Sequence, residues 1–372
     1  MNKIRRKKRK TCELVNIFCH LSSFIIYHRT SALKCLELVN IFCSFLSSRY
    51  GIESNYLPVS ASLPLFIIGD SKEKSPGLEL NFYRNSCPNA EQVVKDEVSR
   101  SMLLDPTSAA ALLRLAFHDC QVDGCDGSVM LSYSNGSITE TESDMNFGVR
   151  KLDLIDGTKR SLERICPQTV SCADIIQLAA RDGVYLAGGP YIEILTGRRD
   201  GKLSSKERAD KQLPAADISV DKFIKIFQQK NISVQEGVAL IGAHTLGISH
   251  CRNFEKRLQP PIDPTLSTSF KLTLLVICSD PFLSNVTFAT NDATTFAFDN
   301  RYFTDILNGR GLLKIDSEIS SDQRTKPYVL GFASNQQQFF NSFTSGFLKL
   351  SSHKVLLGKE GEIRKDCRFV NN

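Results

Sequence analysis

Tryptophan is absent from the 372 residues, which excludes a tryptophanyl radical relay between interior and surface. Paired CxxC spacing and HExxH are absent too, so zinc ribbons and helix-borne metalloprotease sites are excluded. No unbroken apolar run approaches the ~20 residues of a confident membrane span. Strand patterns are scarce: Ile192–Leu195 is short, and Val355–Ile363 reads as a single hairpin. A basic body is also missing. Residues 1–76 carry twelve Lys/Arg and five Asp/Glu, a net +7 against +6 for the whole chain, which leaves −1 for residues 77–372. That balance argues against a nucleic-acid partner.

What is present is cysteine, in two groups. Cys12, Cys19, Cys35 and Cys43 lie near the N-terminus, and eight more spread from Cys87 to Cys367. An even eight without metal-type spacing reads as disulfides in an oxidising compartment. Sequons at Asn135, Asn231 and Asn285 agree with secretion. Residues 1–10 hold seven Lys/Arg and precede an interrupted apolar run, Leu14–Tyr27, the pattern of a secretory signal. A solvated or nuclear-import-like tail is the alternative reading of the same charges. ELVNIFC occurs twice, at Glu13–Cys19 and Glu37–Cys43, too few copies for a solenoid. It marks a local duplication or an artefact of the gene model. A second apolar patch, Leu57–Ile68, is another candidate signal region. Residues 1–76 are therefore expected to stand outside a folded domain spanning 77–372.

Within that domain the periodicity is helical. Apolar spacing predicts helices over Pro88–Leu103, Ser108–His118, Arg150–Ile165, Ser171–Val184, 221–230, 234–241, Tyr302–Leu307 and Phe339–Leu350. The expected class is mainly α, with long loops stapled by disulfides and minimal β structure.

Two stretches carry chemistry. Ala110–Ser128 reads AALLRLAFHDCQVDGCDGS. Arg114 and His118 are four apart, so a helix projects them from one face. The loop that follows, between Cys120 and Cys125, is crowded with oxygen from Asp119, Asp123, Asp126 and Ser128, donors that suit a hard cation. The second stretch, Val238–Cys251, sets His244 among Gly242, Ala243 and Gly247, small neighbours that admit a flat, bulky partner. A satisfied core histidine is the plainer reading of His244.

The order FYxxSCP from Phe82, RLAFHDC, SCAD at Ser171, GRRD at Gly197, GAHTLG at Gly242 and FDN at Phe298 resembles that of the secretory plant haem peroxidases of class III. The resemblance covers residues 77 to about 370. It implies a helical fold in two halves that sandwich haem b, two Ca2+, hydrogen peroxide as substrate and small phenolic donors. It also implies a secreted monomer, in the cell wall or vacuole, without a stable membrane partner. His244 would be the axial ligand of the haem iron and Asp316 the acceptor for its other ring nitrogen. His118 would be the acid–base group, Arg114 its cationic partner and Asn146 the amide that orients it. Pro214 would border the donor site. The distal cation would take Asp119, Asp126, Ser128 and the carbonyls of Val122 and Gly124. The proximal cation would take Thr245, Asp292, Thr294 or Thr295, Ala297 and Asp299. The family pattern pairs Cys87 with Cys166, Cys120 with Cys125, Cys172 with Cys367, and Cys251 with Cys278.

The chain departs from that pattern in places. Gln121 replaces the usual aromatic after HDC, Glu140–Asn146 is atypical, and the Asp292–Asp299 loop is one residue short. Tyr83, Tyr185, Tyr191 and Tyr302 are the tyrosines to consider for a surface relay, with packing as the plainer role. The competing function is a catalytically silent wall or matrix protein that keeps the fold. Retention of Arg114 and His118 argues against it, because neither polar group stabilises a dry pocket.

Overall fold

The computed structural model describes residues 77–133, 136 and 138–371, and the extension 1–76 and the Asn135 sequon lie outside them. Twelve α-helices occupy the described residues. In chain order they are α1 Ala90–Leu104, α2 Ser108–Gln121, α3 Leu152–Ile165, α4 Cys172–Leu186, α5 Lys206–Gln212 and α6 Val220–Gln228. The remainder are α7 Val234–Ile241, α8 Thr268–Ile277, α9 Arg301–Leu307, α10 Lys314–Ile319, α11 Lys326–Ser334 and α12 Gln336–Ser351. The only sheet among the described residues is an antiparallel pair, β1 Ile248–His250 and β2 Phe288–Thr290, in the register Ser249 opposite Ala289.

Local chemistry explains the boundaries. Lys151 sits at φ +71°, in the left-handed region, so α3 begins at Leu152 rather than Arg150. The Ser171 hydroxyl accepts the Asp174 amide at 3.1 Å and caps α4. α2 runs past His118 to Gln121, since no breaker intervenes before the Val122–Gly124 turn.

Four helices carry no readable period. α5 buries only Ala209, α8 is apolar on nearly every side, and α10 and α11 are short. The expected Val355–Ile363 hairpin is absent. Leu356 pairs with Arg199 and Glu362 with Asp200, so each half answers a distant segment instead of its neighbour. Likewise Ile192–Leu195 forms no strand; the pairing falls one residue later, between Thr196 and Glu79.

The first half of the fold is built on α4, whose residues Cys172–Val184 are all buried. α1 and α2 pack on it, and α3 packs on α1. The second half sets α7 against α12 and α9 against α11, around the buried rings of Phe298, Phe303, Phe332, Phe339 and Phe343. The halves meet where α12 touches α2. Disulfides join Cys87–Cys166, Cys120–Cys125, Cys172–Cys367 and Cys251–Cys278. The Cys172–Cys367 bridge closes 195 residues, a potential stabilisation of about 5 kcal/mol on the chain-entropy account. Among the described residues, no helix is long and apolar enough to cross a membrane.

A buried ion pair locks α4 to the loop that follows it. Arg198 Nη1 donates to Asp174 Oδ1 at 2.7 Å, and both side chains are fully buried. Asp174 Oδ2 accepts the Tyr83 hydroxyl at 2.6 Å and the Gly197 amide at 2.7 Å. Tyr83 is thus a packed, hydrogen-bonded residue. Replacing Asp174 with alanine strands a guanidinium in the core, and a loss of about 3–5 kcal/mol is expected. Denaturant titration checks this; a shift below about 1 kcal/mol would refute it.

Candidate active site

α2 presents the first half of the site. Most of its residues are buried, but Ala110, Arg114 and Phe117 remain partly exposed along one stripe, spaced i, i+4 and i+7. His118 is 7% exposed beside that stripe. Its Nδ1 lies 2.6 Å from Asn146 Oδ1. Asn146 Nδ2 donates to the Glu140 carbonyl at 2.6 Å, which fixes the amide's orientation. An amide oxygen only accepts, so Nδ1 carries the proton and Nε2 keeps its lone pair. Arg114 Nε donates to that Nε2 at 3.1 Å. Arg114 is held in turn by the carbonyls of Phe147 at 2.9 Å and Met145 at 3.4 Å. Burial first, and the Arg114 charge second, push the His118 pKa down to about 3 against the upward pull of Asn146. The imidazole is therefore a neutral base.

The second half follows α7, in the tight turn Gly242–Thr245. His244 is 33% exposed, and its Nδ1 lies 2.9 Å from Asp316 Oδ1. The same carboxylate accepts the Tyr302 hydroxyl at 2.8 Å and the Leu313 amide at 2.8 Å. These contacts hold the Asp316 carboxylate in place and orient the ring, leaving Nε2 without a hydrogen bond among the described residues. The small neighbours of His244 serve other ends than the sequence implied. A Cβ at Gly242 would meet the Phe303 and Phe339 rings, and one at Gly247 would meet Ala110 of α2. Only Ala243 stays half-exposed beside the imidazole.

α7 positions this turn through a capping box. Ser233 N and Oγ donate to Glu236 at 2.8 Å, Ser345 Oγ donates at 2.6 Å, and Lys349 Nζ lies 2.9 Å away. Burial raises the Glu236 pKa, but the hydrogen bonds outweigh it and hold the value at about 2. A depressed carboxylate stabilises the fold above its ordinary pKa of 4.5, and that share is lost as pH falls from there toward 2. Glu236→Gln is expected to cost about 1–2 kcal/mol at pH 7, after screening by water around the half-exposed Lys349. The difference from wild type should shrink as pH falls below about 4.5 and disappear only below about pH 2 in thermal unfolding; a pH-independent deficit would contradict the assignment.

The distal loop has the character of a cation cradle. Both carboxylate oxygens of Asp119 are buried and lack a hydrogen-bond partner, as does Glu140 Oε2. The Gly127 amide lies close to Asp119 but outside bonding geometry. Asp126 Oδ1 accepts only the Ser128 amide at 2.9 Å. Burial, then mutual repulsion with Asp126 and Glu140, drives the Asp119 pKa well up. Burial, with Asp126 adding to it, pushes Glu140 to about 8. A cavity of about 290 Å³ opens among Val122, Asp123, Asp126, Ser128 and Glu140. Gly201 donates its amide to the Asp126 carbonyl at 2.8 Å, and a Cβ there would strike Asp126 Oδ2. Among the described residues, no trio of His, Cys, Asp or Glu side chains is placed to hold a metal, so a cation here would need mixed oxygen donors.

The proximal oxygens also converge, despite the shorter loop. Thr245 Oγ1 donates to Asp292 Oδ2 at 2.6 Å and reaches Asp299 Oδ1 at 3.3 Å and the Ala297 carbonyl at 3.5 Å. Thr294 Oγ1 lies 3.1 Å from Asp299 Oδ1 and 3.3 Å from both Asp292 oxygens. Thr295 turns away: its hydroxyl meets the Asp292 carbonyl at 3.4 Å. Burial, with Asp299 nearby, raises Asp292 to about 6. Pro214 sits elsewhere, on a cavity of about 660 Å³ that Gln121 also lines. Sequence reasoning missed the part played by Glu140, and weighed Tyr302 only as a relay or as packing, not as a partner of Asp316. Neither had a spacing signal, because the fold alone brings them to Asp119 and Asp316.

The Peroxidase family model matches residues 94–335. Peroxidase 29 of Arabidopsis thaliana is 45% identical over 314 residues, covering 82% of this chain and 93% of the relative. Peroxidase 18 of the same plant is 41% identical over 330 residues, covering 87% of this chain and 98% of the relative. Peroxidase 46 is 40% identical, covering 82% and 95%. The chain belongs to the peroxidase family, and the resemblance to class III enzymes drawn from its motifs is borne out. Membership implies an enzyme that uses haem and calcium to reduce hydrogen peroxide.

Proposed function

We propose that residues 77–372 form a secreted haem b peroxidase that reduces hydrogen peroxide to water and draws single electrons from phenolic donors. The observation that carries this reading is His118: a buried imidazole kept neutral, its lone pair beside a cation. The residues fit the cofactor. Partly exposed Ala110, Arg114 and Phe117 supply one open face, and Ala243 with the unbonded Nε2 of His244 supplies another. His244 would hold haem through that nitrogen, and Asp316 raises its basicity through Nδ1. When bound, haem supplies the redox chemistry: two-electron reduction of peroxide, followed by two one-electron returns. His118 exchanges its bond from Arg114 for one from peroxide, takes a proton from the near oxygen and gives it to the departing one. Arg114 stabilises the charge that builds on that oxygen. Asn146 keeps Nε2 as the basic nitrogen throughout.

Oxygen-rich donor sets around Asp119 and Asp292 suit two Ca2+, with Thr245, Thr294 and Asp299 in the second. The disulfides and the exposed sequons Asn231 and Asn285 support secretion. A Soret spectrum of the purified protein, with a guaiacol–peroxide assay, tests the reading. A Soret band with turnover is expected. Absence of turnover, with or without haem, would favour the silent matrix protein and overturn the peroxidase reading.

A further inference from the structure

The reading above leaves the donor's chemistry open, and the cavity at Pro214 narrows it. That cavity, about 660 Å³, is lined by Gln121 at the end of α2, by Lys211 and Pro214, by Asp217, and by Lys222 and Lys230 around α6. α6 buries Val220, Phe223, Ile224 and Phe227, so its opposite face, with Lys222 and Ile226, is turned to the cavity.

Two features are unusual. Gln121 is 1% exposed, yet neither its Oε1 nor its Nε2 has a hydrogen-bond partner. A buried amide without partners costs roughly 1–3 kcal/mol and calls for a ligand or water able to donate and accept. The rim is also cationic. Lys211, Lys222 and Lys230 enter no ion pair among the described residues, and Asp217 is the one carboxylate lining the cavity. Nearby acids are already engaged. Asp123 is held by Arg208 and Gln212, and Asp221 by Arg324. Lys354 and His353 lie beside Lys230 and bring no negative charge.

We propose that this cavity selects phenolic donors bearing a separate negative charge, such as a carboxylate or sulfonate, with the phenol hydroxyl on Gln121 and the anion among Lys211, Lys222 and Lys230. The inference rests on the peroxidase reading. Gln121 fits a phenol because an amide both accepts from and donates to one hydroxyl. It lies three residues after His118 on α2, so the two side chains are neighbours on the helix surface. Lys211 and Lys222 are exposed and Lys230 half-buried, so the charged end is held at the mouth, where water still reaches it. Each donor surrenders one electron and its hydroxyl proton, so one peroxide and two phenols yield two waters and two phenoxyl radicals.

The test compares three donors that share a 4-hydroxyphenyl group: 3-(4-hydroxyphenyl)propanoate, its neutral amide, and the cation tyramine. Steady-state kcat/KM is measured on the holoenzyme at about 10 mM and 500 mM salt. At low salt the carboxylate is expected to exceed the amide by about tenfold, with tyramine lowest, because focused charge raises encounter rates. At high salt the ratio should fall toward one, since the screening length drops from about 30 Å to a few ångströms. Lys222→Gln with Lys230→Gln should cut the low-salt ratio to about two. If that variant fails to fold, the salt series on the wild type decides alone. Gln121→Leu should raise KM for all three donors together, by about fivefold, with a smaller change in kcat. Equal kcat/KM for the three donors, or a preference for tyramine, overturns the charge selection and leaves the peroxidase reading intact. Consumption of peroxide with none of them overturns the peroxidase reading itself.

Discussion

His118→Ala is expected to slow the reaction with peroxide by roughly 1,000- to 10,000-fold while haem still binds. The two halves of that result come from different parts of the chain. The base sits on α2, and its Nε2 is the only lone pair kept free of a proton by the Asn146–Glu140 relay. The nitrogen that would hold haem belongs to His244, in a turn tied to Asp316 and Tyr302. Among the described residues no hydrogen bond links the two sets, so losing the first leaves the second standing. Rapid mixing with peroxide, followed in the Soret region, measures the rate, and the resting spectrum measures binding. A rate within tenfold of wild type would show that the proton passes through another group. Loss of the Soret band would show that His118 supports the fold of the cleft.

Calcium removal should produce the second large effect. Burial pushes Asp119, Asp126 and Glu140 toward their neutral forms, and the charge of Asp126 adds to the shift of the other two. A bound divalent cation removes that repulsion and occupies the stranded Asp119 oxygens. Chelation should then destabilise the protein by about 3–4 kcal/mol, the linkage expected when the ion is present at 100 to 1,000 times its Kd. The peroxide step should slow as well, because Glu140 offers its carbonyl to Asn146, which orients His118. Calorimetry with and without EGTA, then with Ca2+ restored, tests both claims. An unchanged Tm would remove the cation from the account; a lower Tm at an unchanged peroxide rate would break only its link to His118.

Much of this was legible because the chemistry is local. Arg114 and His118 share a helix face by spacing alone, and the oxygen-rich loop between Cys120 and Cys125 is continuous in sequence. The mainly helical class followed from apolar periodicity in α1 to α4. Legibility ended where partners lie far apart. Nothing near Leu356 or Glu362 says that their partners are Arg199 and Asp200, so two bridges were mistaken for one hairpin. α5 and α8 hid for opposite reasons, one with almost no apolar residue to mark a face and the other with few polar ones. The glycines around His244 looked like room for a flat ligand, but Gly242 answers to Phe303 and Phe339. The unpartnered amide of Gln121 was visible only as a substitution; its meaning needed the three lysines that α5 and α6 bring around it.

The bridge from Cys172 to Cys367 bears on how the molecule is made. Arg364, three residues before that cysteine, is fully buried and donates to the carbonyls of Asp126 and Gly127 at 3.1 and 2.7 Å. A ribosome delivers α4 and the loop around Asp126 long before it delivers either partner. Both must therefore wait, unclamped, Cys172 through 195 further residues of synthesis and Asp126 through 238. Assembly of this enzyme is accordingly an event that follows release of segment 364–367 from the exit tunnel, under the care of whatever oxidant the compartment provides.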